Sequence, residues 1–213
     1  MWTFIAERRE QLAFEAYQHA SLVVQSVLLA TVIAIALAVL VNRVKSLGPF
    51  LNTVSAIGLT IPSFALLGLL LPLVGIGVLP SVLAVTFYAV LPILRNAVVG
   101  LQGVDSTLVE SARGMGMTGT SVLLRVKLPL SWPVILTGIR VSTQMSMGVA
   151  AIAAFALGPG LGQRIFTGLA QVGGANAINS VLVATVGIVI LAVILDALLV
   201  LLGRLTTSKG IRV

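Results

Sequence analysis

The chain has 213 residues, 58% of them hydrophobic and only 9% charged, with a mean hydropathy of +1.14, where a soluble domain of this size carries roughly a quarter charged residues. A formal charge of +7 and a pI near 11.2 would suit a nucleic-acid binder, but the basic residues sit at the ends of apolar runs and form no single patch, which excludes that class. With no cysteine, disulfides, thiol catalysis and Cys-based metal sites are excluded as well.

Sparse charge separated by long apolar runs points to an integral membrane protein. The opening residues MWTFIAERREQLAFEAYQHA hold three acids against two arginines, a poor n-region for a signal peptide. Phe4, Ile5, Leu12, Phe14 and Tyr17 suggest instead that residues 1–19 form an amphipathic segment lying on the outer leaflet. Spans follow at about 20–41, 52–71, 78–94, 133–157 and 180–202, each near the ~20 apolar residues a crossing needs. All must be helical, because unpaired backbone groups are too costly in lipid, and no polar alternation suggests a β-barrel. The expected fold is all-α, with five transmembrane helices.

Within these spans several residues stand out. Pro62, Pro72, Pro80 and Pro92 are expected to kink or break the second and third helices. His19 lies at the start of the first, an interfacial or structural position. The fourth carries a small residue at every fourth position, Gly138, Ser142, Ser146, Ala150, Ala154 and Gly158, which permits close helix approach. That stripe serves either a subunit interface or pathway, or plain packing within the chain. Gln144 lies deeper in the same span and is a candidate for lining a pathway, with Ser142 and Ser146 beside it. Arg140 is close enough to the helix end to snorkel. Asp196, the only acid within a span, is expected to be hydrogen-bonded or interfacial. Between the last two spans, GPGLGQRIFTGLAQVGGANAIN reads as an outer loop with a short helix near 163–170, where Asn176 or Asn179 offer contacts. No aromatic cluster, nucleophilic triad or metal-ligand spacing is evident.

One long polar interruption, between Arg95 and Trp132, divides the spans. Asp105 before Ser106 and Thr107 makes a helix start. Leu108, Val109, Ala112 and Met115 then give one apolar face, and Gly114, Gly116 and Gly119 end the helix and permit a turn. Pro129 and Pro133 mark the return to the bilayer. Placing this interruption in the cytoplasm puts Arg43, Lys45, Arg95, Arg113, Arg125, Lys127, Arg204, Lys209 and Arg212 inside, against Arg8, Arg9 and Arg164 outside. That satisfies the positive-inside tendency. The N-terminus is then outside, and a tail of residues 204–213 is cytoplasmic.

The interruption resembles the loop signature of permease subunits of bacterial ABC importers, EAA, three residues, G, nine residues, then I-x-LP. Here it reads Glu110-Ser111-Ala112, Gly116, then Val126-Lys127-Leu128-Pro129. Ser111 replaces the usual Ala and Val126 the usual Ile. TIPSFALLGLLLPLVGIGVLP, YAVLPILRN, LPLSWPVILTGIR and GPGLGQRIFTGL are similar to the branch that imports glycine betaine, carnitine, choline and related osmoprotectants. The resemblance implies a type I ABC transmembrane domain over 20–203, with a coupling loop at about 95–131. Asp105, Leu108, Glu110, Ser111, Ala112, Gly114, Gly116, Val126, Leu128 and Pro129 would form the ATPase-coupling site. It also implies a second permease subunit, identical or paralogous, two ATP-binding subunits and an extracytoplasmic substrate-binding protein, in the bacterial cytoplasmic membrane.

The chain itself holds no phosphate loop. Gly114 and Gly119 have the required separation, but Thr120 stands where lysine must be. ATP and its magnesium would therefore belong to a partner. Three alternatives compete: a permease for another small solute, a non-transporting scaffold, and a secondary transporter or channel. The last predicts an inverted repeat and paired intramembrane charges, neither of which is legible in the sequence.

Overall fold

The computed structural model describes residues 1–44 and 46–207, so Lys45, Lys209 and Arg212 of the charge argument and most of the 204–213 tail lie outside the described residues. All regular structure among the described residues is helical. Helix α1 spans Trp2–Glu7, and α2 runs unbroken over Arg9–Arg43. The separate surface segment expected over 1–19 is thus reduced to six residues. No Gly or Pro interrupts residues 9–19, so the helix of the first span simply continues toward the N-terminus past the bilayer length. Its buried face, Val23, Val27, Ala30, Ala34, Ala38 and Val41, recurs at three- and four-residue steps and is built from small side chains that let neighbours approach.

The second span breaks in two. Helices α3 (Leu47–Thr60) and α4 (Ser63–Val74) meet at 95° across Ile61–Pro62. Proline disfavours helical geometry at the residue before it, and Ile61 is extended, with ψ 125°. The carbonyl freed at Ile61 accepts a hydrogen bond from the Tyr88 hydroxyl, so the break leaves no orphan acceptor at membrane depth. Gly75 (φ +77°) and Gly77 (φ +111°) then reverse the chain, and the Gly77 amide donates to Ala156 O at 2.7 Å.

Helix α5 (Val78–Gln102) is the centre of the bundle, packed between α2 and a helix that follows the polar interruption. That later helix starts well before Pro133. Helix α7 (Gly119–Val122), a π-helical turn (Leu123–Lys127), α8 (Leu128–Ala153) and a 3-10 turn (Ala154–Ala156) form one continuous stretch of 38 residues. Pro129 and Pro133 therefore lie within a helical stretch that begins at Gly119. The π turn comes just before Pro129, where a backbone donor is lost and local rewinding is tolerated.

The small-residue stripe of α8 faces α5. A Cβ on Gly138 would come within 2.7 Å of Asn96 Cβ and 3.1 Å of Pro92 O, and the Ser142 hydroxyl donates to Ala89 O at 2.7 Å. Packing within the chain, one of the two readings of that stripe, is what the helices display. Helix α9 (Gly162–Ala170) matches the expected short helix, and α10 (Ala177–Thr206) closes the bundle at its periphery. Only Ala177, Ala184 and Ile188 of α10 are buried. Its exposed Val186, Val189, Ile190, Val193, Ile194 and Leu198 make an aliphatic surface suited to lipid.

Two ion pairs lock helices together. Arg140 donates twice to Asp196, at 2.9 Å to each oxygen, joining α8 to α10. This corrects the snorkelling expected of Arg140 and the absence of paired intramembrane charges. Two opposite charges on facing helices satisfy one another better than either is satisfied in hydrocarbon. At the other end, Arg164 of α9, only 9% exposed, pairs with Glu15 of α2. His19 is structural: fully buried, its Nε2 lies 3.2 Å from Met147 O.

Candidate coupling site

Helix α6 (Ser106–Gly114) is held off the end of the bundle between α5 and α7. Its start follows from Asp105, whose Oδ1 accepts from the Thr107 amide and hydroxyl, both at 2.8 Å. These bonds favour the charged form and hold the Asp105 carboxyl below the ordinary aspartate value of 3.8. A group with a depressed folded pKa stabilises above its unfolded value and loses that contribution as pH falls through the folded one. The first turn of α6 is therefore expected to be protected near neutral pH and to lose that protection as pH falls below 3.8. Hydrogen-exchange protection factors at residues 107–109 should show this loss, and Asp105→Ala should abolish the pH dependence.

The helix rests on one small residue. Ala112 is buried, with 3% exposure, and Val109 is half-buried beside it. Leu108 and Met115, expected on the same apolar face as Ala112, are 49% and 76% exposed. Met115 falls just past the end of the helix, at its C-cap. Glu110, Ser111, Arg113 and Gly114 are exposed as well. The helix ends in a tight turn, with the Met117 amide donating to Ala112 O at 3.1 Å, and Gly116 adopts φ +82°, a backbone conformation that glycine enters without steric cost.

The second half of the signature lies on the π turn and the start of α8: Val126 and Leu128 are half-buried and Pro129 is exposed. A groove of about 640 Å³ separates the two halves, lined by Asn42, Gln102, Glu110, Arg113 and Lys127 among others. Lys127 Nζ donates to Asn42 Oδ1 at 2.8 Å, tying the end of α2 to this region. Thr118, whose hydroxyl caps α7 at Ser121 N, is a residue the sequence reading missed. Its signal was the Thr-x-x-Ser spacing ahead of an apolar run.

The proposed pathway residues do not gather in one place. Ser142 and Ser146 are buried in the α5–α8 seam. Gln144 is exposed on the opposite face of α8, its amide near the Asp196 carboxylate. Asn176 is exposed at the start of α10 and accepts from Asn179 Nδ2 at 3.3 Å. The structure does assemble an aromatic cluster that was not legible in the sequence. Phe64 of α4, Phe155 of the 3-10 turn and Phe166 of α9 have ring centroids 5.4 to 6.1 Å apart.

A bundle of four long apolar helices and one broken span, with a short helix held off one end, defines a polytopic membrane protein. Its fold is that of the MetNI methionine ABC transporter in an inward-facing conformation, with a TM-score of 0.79 at 24% identity over 92% of this chain and 96% of that one. The chain belongs to the family described as binding-protein-dependent transport system inner membrane component, matched over residues 30–208. Among its relatives, the glycine betaine/carnitine/choline transport system permease protein OpuCB of Bacillus subtilis is 37% identical over all of this chain and 96% of its own. The choline transport system permease protein OpuBB of the same organism is 37% identical over 98% and 94%. The osmoprotectant import permease protein OsmW of Salmonella typhimurium is 39% identical over 98% of each. This membership, and not the absence of paired charges, is what separates the chain from a secondary transporter.

Proposed function

We propose that the chain is the permease subunit of an ATP-driven importer of osmoprotectants such as glycine betaine, carnitine or choline, working with a separate ATPase. The observation that carries the coupling role is α6 itself. Leu108 and Met115 are exposed beside Glu110 and Arg113 on a helix held at both ends, and so small an apolar surface flanked by charge suits a protein partner. ATP and magnesium belong to that partner. Two ATP-binding subunits, a second permease and an external binding protein complete the assembly, with the N-terminus outside and α6 and the C-terminus cytoplasmic. The substrate class rests on the relatives, each of which is a permease for compounds of that kind. ATP binds the closed and open states with different affinity, and that difference shifts the permease between its states.

The test is uptake of radiolabelled betaine, carnitine and choline in cells lacking other osmolyte importers, with and without this subunit. At least one should enter only when the subunit is present, and an ATPase should co-purify with it. Because the chain has no native cysteine, Met115→Cys can be labelled cleanly. Labelling from the outside of intact cells, or purification of an active transporter without an ATPase, would sink the proposal.

A further inference from the structure

Helical spacing places Thr137, Val141, Gln144 and Gly148 on one side of α8, with Phe155 of the 3-10 turn following beyond its end, and all five are exposed. The opposite side is the seam against α5. On the exposed side Arg140, Asp196 and the Gln144 amide gather into one polar group, which is costly to leave against hydrocarbon, whereas the exposed residues of α10 between Val186 and Leu198 are all aliphatic. The α8 strip therefore faces protein or water, not lipid. At its end away from α6 it meets the aromatic cluster, where Phe155 is 58% and Phe64 47% exposed. Phe64 opens the half-helix that follows the Pro62 break, and irregular backbone at this depth belongs where it lines a cavity or is packed in protein. The one charged residue of α9, Arg164, is taken up by Glu15, so no cation competes at the rings and no free carboxylate lies among them.

From these placements, and resting on the osmoprotectant reading above, we propose that Phe64, Phe155 and Phe166 form a low-affinity subsite for the quaternary ammonium group of the substrate at the outer entrance of the α8 strip. A quaternary ammonium ion has no N–H to donate and little affinity for a compact anion, and the π faces of several rings are a fitting recognition chemistry. Weak binding suits a stepping point, since the solute must leave it.

The experiment measures tritiated choline binding to the purified permease–ATPase complex in nanodiscs without binding protein, alongside choline uptake by the whole importer. The wild type should bind saturably. Phe155→Leu and Phe64→Leu should each weaken binding about three- to tenfold, with Phe155→Tyr restoring it. The uncharged carbon isostere of choline should not distinguish wild type from the leucine variants. If the importer takes up choline but its permease complex does not bind it, or the leucine variants bind as tightly as wild type, the subsite is refuted alone. Loss that tyrosine fails to rescue, accompanied by loss of the ATPase, identifies a packing role and refutes it too. If the importer moves no quaternary ammonium compound, the function proposed above falls and takes the subsite with it.

Discussion

Glu110→Arg is expected to lower ATP-driven uptake by about a hundredfold and to release the ATPase subunit, because reversing a charge at a packed interface destroys its electrostatic complementarity at a cost of several kcal/mol. The permease itself should fold and reach the membrane in normal amounts. Glu110 is exposed at the surface of α6, and its side chain has no ion pair within the described chain. Glu110→Gln, which removes charge without reversing it, should have a smaller effect. Uptake measured together with pull-down of the ATPase separates this from a folding defect. Normal uptake by the arginine variant would remove α6 from the coupling role.

The second large effect is expected at the α8–α10 pair. Asp196→Leu leaves the Arg140 guanidinium without its two 2.9 Å acceptors inside a largely apolar span. The destabilisation should be about 2–3 kcal/mol, the order of placing an unpaired charge in a transmembrane helix. Arg140→Met should cost less, since the shorter Asp196 has the Gln144 amide nearby. The double variant Arg140→Met/Asp196→Leu should recover most of the loss, because an apolar pair of similar volume replaces an ion pair at little cost. Thermal unfolding of the three variants in nanodiscs measures this as a double-mutant cycle. Equal and additive losses would show that the pair contributes nothing as a pair.

Helix type and rough position were readable because lipid imposes them: long apolar runs can only be helices, and Asp105-Ser106-Thr107 announces a helix start by its hydrogen-bonding chemistry. The break at Pro62 was readable in kind, though a 95° bend depends on Tyr88 being present to satisfy Ile61 O, a contact 27 residues away. The continuity of α8 through Pro129 and Pro133 was not readable, since whether a proline ends a helix depends on the π turn beside it. Long-range pairs were equally hidden. Arg140 with Asp196, Glu15 with Arg164 and the three phenylalanines each join segments far apart in the chain. Local periodicity carries no information about which helix faces which. For the coupling helix the motif residues were legible, but that both Leu108 and Met115 would be left uncovered depended on how α6 seats on Ala112, which local periodicity does not carry.

The unbroken stretch from Gly119 to Ala156 has a geometric consequence. Thirty-eight residues at 1.5 Å each measure about 57 Å, so a tilt of one degree about the α6 end carries the Phe155 end sideways by about 1 Å. A small displacement applied at the α6 end would thus be felt, without any bend in the rod, among the phenylalanine rings at the other.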